Sequence, residues 1–83
     1  MVTLIMTQME TPSEKEYMLW LYNKFKGLMF ATAYKYIVDP HIVEDVIQET
    51  LMKLIAKVST LQPMPQHILS QYIVSTVKNN AIN

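Results

Sequence analysis

The sequence of 83 residues contains no cysteine, no arginine and a single glycine. The absence of cysteine excludes disulfides, thiolate metal sites and cysteine nucleophiles, and it fits a reducing compartment. The absence of arginine removes the planar guanidinium that recognises phosphate or guanine with two parallel hydrogen bonds. All seven basic residues are therefore lysines, which act as mobile point charges.

Long apolar runs and clustered metal ligands are also missing. The apolar stretches are interrupted by polar residues well before the ~20 residues that a membrane span needs. No lysine or arginine precedes the short apolar run Leu4–Met6, so residues 1–9 make a poor secretory signal, and we expect a cytoplasmic protein without a membrane segment. The two histidines, His41 and His67, lie far apart in sequence, and we predict neither a metal site nor a cofactor.

Half of the residues are apolar, and with so little glycine this composition favours a compact all-α domain. We predict one domain over residues 11–83, preceded by an N-terminal extension, residues 1–10, that has room for a short extra helix. Thr11-Pro12-Ser13-Glu14 is a capping box with proline at the first helical position, so the first of three main helices should begin there. Apolar spacing predicts its buried face as Met18, Leu21, Tyr22, Phe25, Leu28, Met29, Ala33 and Tyr36, and Gly27 could allow a close helix crossing.

Asp39-Pro40 has the same start signal, and the second helix should run to about Val58. Pro63 and Pro65 predict a loop over residues 59–66, because each proline disfavours helix at the residue before it. A third helix should follow to the end of the chain. The predicted buried residues are Val43, Val46, Ile47, Thr50, Leu51, Leu54, Ile55 and Val58 in the second helix, and Ile68, Leu69, Tyr72, Ile73, Thr76, Val77 and Ala81 in the third.

The net charge is zero, but residues 39–49 carry −4 between two blocks of +3. On the second helix, Asp45, Gln48, Glu49 and Met52 follow the spacing i, i+3, i+4 and i+7, so they form one stripe beside Glu44. Such a stripe suits a basic partner helix. Carboxylates near a helix N-terminus also favour the helix dipole and can simply face water, and the spacing alone leaves both interpretations open.

Polar residues gather at the end of the third helix, where Lys78, Asn79 and Asn80 lie beyond the core positions. Asparagines hydrogen-bond well to bases and phosphates, but a fraying, solvated helix end would have the same composition. The sequence shows no glycine-rich phosphate loop, no Ser-His-Asp signature and no zinc motif, so we do not expect an enzyme.

Two segments resemble region two of bacterial sigma factors, most closely of the extracytoplasmic-function (ECF) type. The first runs from Leu21-Tyr22 through Asp39 to the Glu-Asp-x-x-Gln-Glu core at 44–49 and Leu54. The second, residues 72–83, resembles that family's Trp-Leu-x-x-Ile-Ala-Arg-Asn-x-Ala-x-Asp helix. Tyr72, Lys78 and Asn83 replace the usual Trp, Arg and Asp, and the last change removes a charge.

The resemblance implies that this is a binding domain for transcription initiation. The second helix would dock on the clamp helices of the RNA polymerase β′ subunit. The third helix and the loop before it would hold a flipped base of the non-template strand of the promoter −10 element and so stabilise melted DNA. The implied polymerase-binding residues are Glu44, Asp45, Gln48, Glu49 and Met52, and the implied DNA-binding residues are Lys53, Lys57, Lys78, Asn79 and Asn80.

The family normally continues into a second domain, region four, which reads the −35 element and which this sequence does not contain. We therefore expect an excised domain, for which an anti-sigma factor would be a further partner. The alternative is a small helical adaptor that binds another protein without touching DNA.

Overall fold

The structure, a computed structural model, describes residues 12–83. All of its elements are α-helices: α1 (Pro12–Tyr34), α2 (Pro40–Ala56), the single turn α3 (Val58–Leu61) and α4 (Gln66–Ile82). The all-α fold is confirmed, and α1, α2 and α4 pack pairwise into a bundle of 35 × 27 × 20 Å. Thr11, the predicted cap of the first helix, and residues 1–10 lie outside the described residues.

The start of α2 follows the predicted capping pattern. The Asp39 side chain accepts a hydrogen bond from the backbone N–H of His41 at 2.9 Å, and Pro40 takes the first helical position. The cap satisfies a donor that has no partner within the helix, and proline costs nothing where its missing N–H would be unpaired anyway. The cap therefore sets where α2 begins, and the spacing of its apolar residues sets which side faces the core.

The core is apolar and is built from one face of each helix. Met18, Leu21, Phe25, Met29 and Ala33 of α1 meet Val43, Val46, Ile47, Leu51 and Leu54 of α2 and Leu69, Ile73 and Val77 of α4. Among residues 13–83 the buried polar side chains are Thr32 and Thr50, which donate to the carbonyls of Leu28 and Val46 one turn earlier. Their hydroxyls are therefore paired despite burial, as a buried polar group requires.

Several predicted core positions are wrong. Leu28 and Ile68 are each 40% exposed, and Tyr36 is 46% exposed, because it follows the end of α1 in a turn. Tyr22, Ile55 and Tyr72 pack against the core but stay partly exposed. Gly27 does not support a close helix crossing, since a Cβ added there would meet nothing within 4 Å.

The region after α2 also departs from the prediction. The helix ends at Ala56 instead of Val58, and Lys57 leaves helical geometry at φ −118° and ψ 23°. The chain then forms α3, where a loop was expected, and buries Val58 and Leu61. Burial of two large apolar side chains outweighs the weak helix preference of Ser59 and Thr60. The loop is reduced to residues 62–65.

Candidate functional site

Helix α2 presents the acidic stripe on the side opposite the core. Glu44, Asp45 and Glu49 are exposed, and Met52 is 60% exposed. At 3.6 residues per turn, Asp45, Glu49 and Met52 lie roughly half a turn away from Ile47 and Leu54, whereas Glu44 lies at the edge of the buried face. Three carboxylates and one apolar side chain therefore form a continuous surface that is open to a partner.

Gln48 differs from the rest of the stripe. Its side chain is only partly exposed, and its Nε2 atom is buried without a hydrogen-bond partner in the part of the chain that the structure describes. An unpaired buried amide costs roughly 1–3 kcal/mol. Because this nitrogen is shielded from the surface, a partner could accept a hydrogen bond from it only after the Gln48 side chain turns outward.

A groove of about 420 Å³ lies between the end of α2 and the flank of α4. It is open on one side and has no carboxylate in its lining. Two lysines supply positive charge, and an asparagine, a tyrosine and a threonine supply hydrogen-bonding groups. The lining residues are Lys53, Ala56, Lys57, Tyr72, Thr76 and Asn79.

At one edge of this groove a hydrogen-bond chain joins α2 to α4. Asn80 donates through Nδ2 to the Thr50 hydroxyl at 2.9 Å, and its Oδ1 accepts from the ammonium of Lys53. Thr50 in turn donates to the Val46 carbonyl at 2.8 Å. Asn80 is thus partly buried and held by two residues of the neighbouring helix.

The predicted DNA-binding residues do not all come together. Lys53, Lys57 and Asn79 line the groove, and Asn80 adjoins it through Lys53. Lys78 is exposed but does not line the groove, because the next residue along a helix is turned by about 100°.

The sequence reasoning missed two groove residues, Tyr72 and Thr76, which it assigned to the buried side of the third helix. Both are partly exposed, and the Thr76 hydroxyl donates to the Tyr72 carbonyl at 2.8 Å. Positions 72, 76 and 79 follow the spacing i, i+4 and i+7 and so share one flank of α4, and this spacing could have identified the two residues from the sequence.

Away from both surfaces, Tyr17 of α1 has a buried hydroxyl that lacks a partner among the described residues, and burial raises the pKa of this phenol. Within residues 12–83 no three acidic, histidine or cysteine side chains lie close enough to hold a metal ion. Nor does that part of the chain contain a helix with the length and apolar character needed to cross a membrane.

In a comparison with protein families, the chain matches the model described as sigma-70 region 2 over residues 21–83. The match covers about three quarters of the chain and includes the stripe and the groove. Neither the comparison with curated proteins nor the comparison with solved structures gave a match.

Proposed function

The chain belongs to the sigma-70 region 2 family, and from this premise we propose that it docks on the β′ clamp helices of RNA polymerase and holds the non-template strand of the −10 element. Membership supports a non-enzymatic role in polymerase binding and promoter −10 recognition in general. The observation that carries the finer proposal is the division of α2 into two polar surfaces. Its outer face bears the acidic stripe, and its C-terminal flank forms the basic groove with α4.

The polymerase surface is proposed to be the stripe, with Glu44, Asp45 and Glu49 facing basic residues of the partner. Exposed carboxylates steer a basic helix toward the surface and contribute modestly to affinity. Met52 supplies an apolar contact at 60% exposure, and the Gln48 amide would supply a directional hydrogen bond once its side chain turns outward. The stripe therefore combines the charge, apolar area and specificity that a helix-docking surface needs.

The test is a titration of the 83-residue chain with a fragment containing the β′ clamp helices. Replacing Glu49 by Ala should weaken binding by about two- to fivefold, and higher salt should weaken the parent complex. Gln48→Ala should also weaken it, because the partner's acceptor loses its donor. The matched control is Glu16→Ala, which removes one exposed carboxylate of α1 outside the stripe. If both stripe variants bind as well as the parent, the assignment is wrong.

The DNA surface is proposed to be the groove between α2 and α4. Lys53 and Lys57 would neutralise backbone phosphates, and Tyr72 offers an aromatic ring against which an unpaired base can stack. Asn79 and Thr76 supply hydrogen-bonding groups for a base edge or a sugar. Lys78 would contact a phosphate outside the groove, and Asn80 would belong to the site through its hydrogen bond to Lys53.

This proposal predicts that the chain binds a labelled 12-nucleotide single strand of mixed sequence better than the corresponding duplex at low salt. Removing one phosphate contact by Lys57→Met should lower the slope of log affinity against log salt by about 0.7. The control Lys24→Met removes an exposed charge of α1 that does not line the groove. Equal binding of single strand and duplex, or no binding of either, would contradict the proposal and favour the adaptor alternative.

We further propose that this sigma factor domain is of the extracytoplasmic-function type and acts in the cytoplasm, with an anti-sigma factor as a regulatory partner. The Glu-Asp-x-x-Gln-Glu core at 44–49 supports the subtype, and the role in transcription supports the location. Two measurements test the whole proposal: whether the protein co-purifies with core polymerase, and whether it directs that polymerase to one promoter in reconstituted transcription.

A further inference from the structure

The hydrogen-bond chain between α2 and α4 fixes the direction of every donor in it. The Thr50 hydroxyl has one proton, which goes to the Val46 carbonyl, so its oxygen can only accept from Asn80. Asn80 must therefore turn Nδ2 toward Thr50, and this leaves Oδ1 facing the Lys53 ammonium. The reversed amide would place its NH2 against the ammonium and its oxygen against the Thr50 oxygen, and both contacts would be repulsive. The amide has one favourable orientation.

This orientation matters for Lys53, which is an exposed lysine at the edge of the groove. A free lysine side chain samples many rotamers, and ordering it on binding costs conformational entropy. The ammonium has three donors, of which Asn80 takes one and leaves two for a ligand. A side chain held in place before binding loses less entropy when a phosphate arrives.

We propose that Asn80 is a positioning residue, oriented by the buried Thr50 hydroxyl, that holds the Lys53 ammonium at the groove for a phosphate of single-stranded DNA. The inference rests on the proposed DNA-binding function and assigns different roles to Lys53 and Asn80 within it. Lys53 makes the phosphate contact, and Asn80 acts through Lys53 rather than through a base.

Thr50 provides the sharpest test because its side chain is fully buried, at 0% exposure, and cannot touch DNA. Thr50→Val keeps the shape of the residue and removes the acceptor of Asn80. The matched control is Thr32→Val, since Thr32 is a buried threonine of α1 with the same bond to a carbonyl one turn earlier. Asn80→Leu removes both bonds of the amide, and Lys53→Met removes the ammonium while keeping the aliphatic stem.

The assay measures the affinity of the 83-residue chain for a labelled 12-nucleotide oligothymidylate at about 50 mM salt. Circular dichroism under the same conditions checks that each variant is folded. Each phosphate contact contributes about 0.7 to the slope of log affinity against log salt. If the contact contributes nothing at 1 M salt, its loss lowers the affinity at 50 mM salt by about eightfold, and this is the loss that we expect for Lys53→Met. Asn80→Leu and Thr50→Val should each lose about two- to eightfold. Neither should lose anything further when Lys53 is already Met, and Thr32→Val should bind like the parent.

Two results would overturn the inference while leaving the groove function intact. One is an equal loss from Asn80→Leu with and without Lys53, which would mean that Asn80 contacts DNA itself. The other is a Thr50→Val affinity that matches that of Thr32→Val. A parent chain that does not bind the single strand would overturn the inference together with the proposed DNA-binding function.

Discussion

Gly27→Ala should stabilise the protein, because Gly27 lies well inside α1 and is exposed. In a helix interior, glycine is less favourable than alanine by about 0.8–1.0 kcal/mol, since it loses more backbone freedom on folding. An added Cβ at Gly27 would meet no atom within 4 Å, so no steric cost reduces this gain. The new methyl group would also bury almost no surface. The expected gain is therefore the helix-propensity difference alone, about 1 kcal/mol.

Thermal unfolding followed by circular dichroism at 222 nm measures this gain. An unfolding entropy of about 2.1 cal/mol/K per residue gives about 0.17 kcal/mol/K for the 83-residue chain, so Tm should rise by about 5–6 °C. The reciprocal control is Ala31→Gly, an exposed site one turn later in α1, which should lower Tm by a similar amount.

An unchanged or lower Tm for Gly27→Ala, with the expected fall for Ala31→Gly, would refute the reasoning. It would mean that the backbone at Gly27 is in close contact with another part of the protein and that glycine is required there for space.

Two further predictions concern the buried groups without partners. Gln48→Leu should raise the urea midpoint by the equivalent of about 1 kcal/mol, because it removes an unpaired buried amide. The same change should weaken binding to the clamp-helix fragment. A lower urea midpoint would contradict the stability prediction. Burial raises the pKa of Tyr17 above its unfolded value of about 10. The stability that the neutral phenol contributes is therefore complete below about pH 10 and is lost as pH rises from there through the folded pKa. Between pH 8 and 10.5 the Tm of Tyr17→Phe should therefore fall less than the Tm of the unmutated chain. Equal falls would exclude Tyr17 as a source of the pH dependence.

The start and rotation of α2 were predictable because the information is local. Asp39-Pro40 specifies the first turn through a cap and a fixed φ, and 3.6 residues per turn then place Val43, Ile47 and Leu54 on one face. The stripe at Asp45 and Glu49 follows from the same geometry. Prediction was weaker for α1, where Leu28 fits the buried spacing as well as Met29 does, and only the packing of the bundle buries Met29 and leaves Leu28 40% exposed.

The sequence by itself determined the helical class, the starts of α2 and α4 and the order of polar residues along each helix, since these depend on neighbours within about four positions. The tertiary structure decided which polar residues meet. Lys53 and Asn79 share a groove, and Asn80 reaches Thr50 across 30 positions of sequence. It also separated Lys78 from the groove residues beside it in sequence. The physical reason is that contacts between helices depend on how their buried faces dock, and the spacing within one helix does not contain that information.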